Sequence, residues 1–259
     1  MIGIFDSGIG GLTVVKEIFK QLPGYQVIYF GDTARTPYGN KSPKTIIKYS
    51  QEDTDFLLKQ GAKVIVIGCN TASAEAAGEL KRKYSNIPIL EVITPAVKQA
   101  VAITKNKKIG VIGTRGTINS GVYEKLIKEF NPEIKVFSQA CPLFVPLVEE
   151  DWLKRPEVKM IARRYLQNLK NKGIDTLILG CTHYPLIKDI ISAKIGKRVT
   201  LVDSAEEVVK ELKKKMTNDQ TPMTKDEEHK FYVSDLNSQV ENIARQWLGQ
   251  EVEWQEVNY

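Results

Sequence analysis

Short apolar, β-branched runs alternate along most of the chain with segments whose apolar positions recur every three or four residues. The short runs are MIGIF, QVIYF, KVIVIG and IPILEV, followed by KIGVIG, IKVFSQ, TLILG and VTLVD. Each is nearly continuous in apolar residues and of strand length, the pattern of strands covered on both faces. Between them, TIIKYSQEDTDFLLKQ and EVKMIARRYLQNLKNK carry apolar residues at helical spacing. This alternation predicts an α/β protein with mainly parallel sheets and helices on both sides.

The eight runs form two sets of four. When VIVIGCNT is laid on TLILGCTH, IGIFDSG falls near IGVIGTRG, VIYFGD near VFSQAC and IPILEV near VTLVDS. The offset drifts by only a few residues, as unequal loops would produce. Two similar, doubly wound domains are therefore expected, related by a pseudo-twofold axis with a cleft between them. The change of domain is placed near ITPAVKQAV, where Thr94-Pro95 opens a helix. The first domain comprises 1–97 together with 208–259, and the second 98–207. The tail reads as helix, polar loop, short strand, helix and a final VEWQEV; it has no repeat partner and is expected to return to the first domain.

The repeat brings the chemistry into view. Ligands of open α/β sheets bind beyond the carboxyl ends of the strands, and Cys69 and Cys181 both occupy that position. A cysteine after a strand is commonly a small buried hydrophobe. Here, however, each is followed by hydrogen-bonding residues, Asn70-Thr71 and Thr182-His183. A disulfide would need strand ends of separate domains to close tightly. A zinc site would rest on an atypical Cys-x-His spacing, and Cys–His acyl transfer leaves Cys69 without a role. Proton transfer uses both thiols: one thiolate removes a proton from a carbon while the opposite thiol returns one to the other face. An ordinary thiol pKa of ~8.5 needs only modest lowering for one member of such a pair. His183 is placed to assist Cys181, and Asp6, ending the first strand, to assist Cys69. The loop DSGIGGLT suggests amides that cradle a phosphate or a carboxylate, with Ser7 adding a hydroxyl. It lacks the spacing of a nucleotide motif.

Composition narrows the classes. Hydrophobic residues make up 42% and charged residues 26% of the 259 positions, ordinary for a globular protein. No apolar run approaches the ~20 residues of a membrane span, and MIGIFDSGIGG contains no basic stretch followed by an apolar one, so no signal peptide is expected. Three cysteines without short disulfide spacing suit free thiols in a reducing cytoplasm. The net charge of +6 is spread over helical segments such as ELKRKYSN and VVKELKKKM rather than gathered beside aromatics. Solvated helix faces explain it, no nucleic-acid partner is expected, and a positive balance suits an anionic small substrate.

Six motifs in register, GIFDSGIGGLTV, GDTARTPYG, GCNTASA, GTRGTINSGVY, CPLFVPLVE and LGCTHYPL, resemble those of the glutamate racemase family, within the cofactor-independent aspartate/glutamate racemase superfamily. The resemblance covers essentially the whole chain. It implies an active site between two α/β domains, with neither pyridoxal phosphate nor metal as cofactor. It also implies glutamate as substrate and a role in supplying D-glutamate for peptidoglycan. Cys69 would act on the D-enantiomer and Cys181 on the L-enantiomer, supported by Asp6 and His183. A glutamate of PLVEE is implied near the second thiol, Glu149 in preference to Glu150 from register. Ser7, Tyr38, Gly39, Asn70, Thr71, Thr117 and Thr182 would hold the substrate's carboxylates and ammonium.

Each supporting residue also has a plainer use: Asp6, Asn70 and Thr71 as helix caps, Tyr38-Gly39 as a turn with an aromatic lid, Thr114 and Thr117 as turn residues. Cys141 is read as non-catalytic and His229, in the polar tail, as exposed and idle. Three competing functions stay open: the same chemistry on aspartate or another acidic amino acid, a two-domain module that closes on an anion without turnover, and nucleic-acid binding. A homodimer that tunes cleft closure is compatible with this reading.

Overall fold

In a computed structural model that describes residues 1–216 and 228–257, each strand run is found where the pattern placed it. Along the chain come β1 (Ile2–Asp6), α1 (Leu12–Gln21), β2 (Val27–Gly31), α2 (Pro43–Lys59), β3 (Val64–Ile67), α3 (Asn70–Lys83), β4 (Ile89–Glu91) and α4 (Ile93–Ile103). Then follow β5 (Lys108–Gly113), α5 (Arg115–Asn119), α6 (Val122–Phe130), β6 (Lys135–Ala140), α7 (Phe144–Glu149), α8 (Pro156–Lys172), β7 (Thr176–Gly180), α9 (Lys188–Ile195) and β8 (Thr200–Asp203). The tail adds α10 (Ser204–Met216), β9 (Lys230–Val233), α11 (Ser238–Leu248) and β10 (Trp254–Glu256). Most of the tail's polar loop lies outside the described residues.

Two wholly parallel sheets result. One has the order β10-β9-β2-β1-β3-β4 and the other β6-β5-β7-β8. The order β2-β1-β3-β4 is repeated in β6-β5-β7-β8. In each sheet the chain reverses its direction of winding between the first and third strands of the set, β1/β3 and β5/β7, and a crevice opens there at the carboxyl ends. Those ends carry Asp6, Cys69, Thr114 and Cys181. The tail joins the first sheet by edge pairing, β9 on β2 and β10 on β9.

Alternation along the first-sheet strands sorts their side chains onto two faces. Phe5, Ile28, Phe30, Ile65 and Ile67 form one apolar cluster with Leu57 of α2 and Ala76 and Leu80 of α3. Ile2, Ile4, Tyr29, Val64 and Val66 face the other way, into a larger cluster continuous through α1, α4 and α10 with the second sheet. A shared core of this kind holds the two sheets at a defined distance. Two connections between them, α4 and α10, are themselves helices packed on each other, and α10 also packs on α1.

Local signals account for the helix ends. Ser42 accepts the Thr45 N–H ahead of Pro43 at the start of α2, and Asn237 accepts the Val240 N–H at the start of α11. Gly173 and Gly249, at φ +67° and +76°, end α8 and α11 in the left-handed region.

Candidate active site

Cys69 is the N-cap of α3. Its Sγ accepts the Ala72 N–H at 3.5 Å and donates to Ser7 Oγ at 3.4 Å. Asn70 and Thr71, which suit capping by type, are instead the first helical residues, so their side chains are free to face across the cleft. Cys69 is 5% exposed, and burial, followed by the negative charge of Asp6, pushes its thiol up to about 12 against the opposing pull of Ser7 and the Ala72 amide.

Asp6 lies behind Cys69, fully buried. Its Oδ1 accepts the Gly8 N–H at 3.0 Å, while Oδ2 is buried without a hydrogen-bond partner among the described residues. Burial raises its pKa, with His183 opposing. The expectation of an anion cradle in DSGIGGLT is narrowed here: the Gly8 amide is spent on Asp6, and Gly10 and Gly11 serve close approach. A Cβ on Gly10 would stand 2.3 Å from Thr182 Oγ1 and 2.5 Å from the His183 ring, so only glycine lets the first-sheet loop lie against the second.

On the other side, Cys181 follows β7 and is 6% exposed. Its Sγ is 3.7 Å from His183 Nδ1, and His183 Nε2 is 3.0 Å from Glu149 Oε1. Burial alone would lower the imidazole's pKa. The bonds to Cys181 and Glu149 outweigh burial and push it up to about 10, so the ring is an imidazolium at neutral pH. Glu149 ends α7 with its side chain 31% exposed, whereas Glu150 is exposed. The Trp247 ring, from α11, meets His183 edge to face at 5.6 Å.

Both thiols line one cavity of about 30 Å³, together with Ser7, Thr36, Pro37, Tyr38, Gly39, Asn70, Thr71, Thr114, Val145, Glu149, Thr182 and His183. Thr71 Oγ1 lies 3.0 Å from Thr114 Oγ1 and 3.1 Å from Thr117 Oγ1, a triangle of hydroxyls joining the two sheets' loops. Thr117 is 1% exposed and stands behind this wall rather than on the cavity surface. Asn70 Nδ2 crosses to Tyr123 Oη at 2.9 Å, and Thr13 Oγ1 donates to the Thr182 carbonyl at 3.1 Å.

The Tyr38 ring is not a lid. It is fully buried, and its hydroxyl is committed to Asp32 and, at 3.0 Å, to Asp53, a pair of buried carboxylates that also hold Arg35. What Tyr38 and Gly39 present to the cavity is the wall of the segment that this charge network clamps. The loop reading of His229 also needs correction: it is exposed, but its Nδ1 accepts the Val27 N–H at 3.2 Å and its ring packs on Phe19. Cys141 is buried with Sγ directed to the Gln139 carbonyl and lies off the cavity. Sequence reasoning missed Thr36, Pro37, Val145 and Trp247. The first two lay within a quoted motif without a chemical signal, and Trp247 lay in a tail with no repeat partner.

The three cysteines are free, and among the described residues no group of three or more His, Cys, Asp or Glu side chains is placed to hold a metal ion. No helix there is long and apolar enough to cross a membrane. A larger recess, about 710 Å³ between α1, α4 and α10, is lined by Lys98, Glu207, Lys210 and Glu211 among others and contains neither thiol nor imidazole.

Two parallel α/β sheets whose strand ends bring two thiols to the wall of one cavity define the class of the protein by fold and site. The model of the Asp/Glu/Hydantoin racemase family matches residues 2–212, and the chain belongs to that family. It is similar, within that class, to glutamate racemases over nearly its whole length. The relative from Geobacter metallireducens is 48% identical over 250 residues, covering 96% of this chain and 92% of the relative. The crystal structure of a glutamate racemase isoform from Bacillus anthracis superposes with a TM-score of 0.95 at 39% identity, covering 100% of this chain and 97% of the other. That of the Francisella tularensis enzyme, in complex with D-glutamate, gives 0.93 at 40% identity, with 99% and 97% covered.

Proposed function

We propose that this chain is a glutamate racemase that interconverts L- and D-glutamate by proton transfer at the α-carbon between Cys69 and Cys181. The observation that carries the reading is that two thiols from the ends of β3 and β7 line one cavity, each with its own charged support. With L-glutamate, the Cys181 thiolate takes the α-proton, the C–H electron pair passes into the α-carboxylate, and Cys69 delivers its proton to the opposite face. Each turnover exchanges the roles of the two sulfurs, so no other reactant is consumed. His183, as an imidazolium held by Glu149, stabilises negative charge on Cys181; Asp6 stands behind Cys69 and Ser7 beside it. Ser7, Tyr38, Gly39, Asn70, Thr71, Thr117 and Thr182 fix the substrate, directly or through the wall they build.

A cavity of about 30 Å³ has room for only a few water molecules. Glutamate therefore enters when the two units, 1–97 with 208–259 and 98–207, swing apart, and the structure corresponds to the closed arrangement. A pseudo-twofold relation between the units, a cytoplasmic location, a homodimer and supply of D-glutamate to bacterial peptidoglycan belong to the same reading. The complex of a 40% identical relative with D-glutamate supports glutamate over aspartate as the substrate.

The test is exchange and racemisation in deuterated water for the wild type, Cys69→Ser and Cys181→Ser, with each enantiomer offered separately. The expected result is inversion with deuterium at the α-carbon in the wild type, and loss on the order of 10²–10⁴-fold in either variant. Normal racemisation by both variants overturns the two-thiol assignment. A wild type that turns over aspartate and ignores glutamate overturns only the substrate.

A further inference from the structure

Asn70 sits 2% exposed on the cavity wall, and the hydrogen-bond inventory around it fixes which way its amide faces. Ser204 Oγ, at the start of α10, donates its single proton to the Leu179 carbonyl at 2.8 Å. Toward Asn70 it can therefore only accept. Asn70 Nδ2 donates to it at 3.3 Å and to the Tyr123 hydroxyl on α6 at 2.9 Å. Both amide protons are thus turned toward the second sheet's elements. The opposite end, Oδ1, is buried without a hydrogen-bond partner among the described residues, a condition that is unfavourable until a donor arrives.

The supports are themselves placed by the fold. Tyr123 is 2% exposed, with its ring over Gly180 at the end of β7, where a Cβ would stand 3.2 Å from the ring and 2.6 Å from the Ile112 carbonyl. Asn70 belongs to the first sheet's elements and both its acceptors to the second's, so the amide is fixed only when the units are together.

At neutral pH both carboxylates of glutamate are acceptors only, and its α-ammonium is its one donor. We infer that Tyr123 and Ser204 are positioning residues that hold the Asn70 amide so that Oδ1 receives the α-ammonium of the substrate. The inference rests on the reading of the cavity as an amino-acid racemase site.

The ammonium keeps its charge from bound substrate to transition state, so its contact is uniform binding, whose loss raises KM and leaves kcat. The experiment is steady-state kinetics with L- and D-glutamate for the wild type, Tyr123→Phe, Ser204→Ala and the double variant. Glutarate, the same dicarboxylate without the ammonium, serves as competitive inhibitor. In the double variant KM rises about tenfold, equivalent to about 1.4 kcal/mol, while kcat stays within about twofold and glutarate binds as in the wild type. Ser204→Thr, which keeps the acceptor, restores KM. An unchanged KM, or glutarate weakened by the same factor as glutamate, overturns the assignment. Ser204→Ala removes no buried ring and decides the matter if Tyr123→Phe fails to fold. A wild type that racemises no glutamate overturns the proposed function itself, whereas active variants with unchanged KM overturn the positioning alone.

Discussion

Cys69 caps a helix of 14 residues and draws its partners from a backbone amide and the Ser7 hydroxyl, with the Asp6 carboxylate buried behind it. Cys181, at the matching end of β7, faces instead an imidazolium that is held by Glu149 and edged by Trp247. Equivalent strand ends have thus been given unlike surroundings. The first side holds its sulfur protonated, with the thiol pushed up to about 12. The second supplies a cation. An asymmetric pair suits the proposed proton transfer, which needs one thiol and one thiolate in the same cavity.

The largest expected effect comes from removing the second side's cation. His183→Asn lowers kcat/KM on the order of 10³-fold. The two enantiomers have equal free energy in water, so both directions fall by the same factor, and steady-state assays with each enantiomer check this. The pH profile separates the sides. L-to-D turnover in the wild type declines as pH rises through about 10, where His183 loses its proton, and the variant lacks that limb. Stability follows with the same sign. The imidazole's folded pKa lies above its ordinary ~6.5, so the pairing with Glu149 is fully stabilising below that pH and is lost as pH rises through about 10. Thermal melts between those limits should show a decline that His183→Asn flattens.

Gly10→Ala tests whether the sides must touch. Its Cβ collides with Thr182 and His183, and a displacement of about 1 Å at reacting groups costs on the order of 10²-fold in rate. Gly24→Ala, which meets nothing within 4 Å, is the control. Smaller still is Glu149→Gln, which removes a charge-assisted bond worth ~1.5 kcal/mol and lowers kcat/KM roughly tenfold. Glu150→Gln leaves it unchanged. The smallest is Cys141→Ala: racemisation rates match the wild type, because this buried thiol is directed at a backbone carbonyl away from the cavity. A large loss there would mean that the two-sided comparison omits a third sulfur.

Much of this site was legible because its chemistry lies at strand ends that hydrophobic patterning marks. Cys69, Cys181, Asp6 and His183 each follow or end an apolar run, and the internal repeat pairs the two cysteines. The choice of Glu149 over Glu150 was legible only from register in a motif. The glycine loop was misread because its composition states that backbone is exposed, not to whom: Asp6 takes the Gly8 amide, and Thr182 and His183 take the space at Gly10. Tyr38 reads as an aromatic after a turn, and nothing local announces the carboxylates of Asp32 and Asp53 that bury it. Trp247 comes from a segment more than sixty residues beyond His183 in sequence and reaches it only because α11 packs on α1.

The order of strands and helices, the duplication and the placing of two thiols at strand ends follow from apolar periodicity and short motifs, since these act over a few residues at a time. Tertiary structure alone decided that the switch points of two separate sheets face each other across so small a space. It also decided which amides are spent internally, and that a tail helix closes the His183 side. Such outcomes depend on the sum of long-range packing between α1, α4, α10 and the sheets, where the partner of a residue is set by the shape of the whole core and not by its neighbours in the chain.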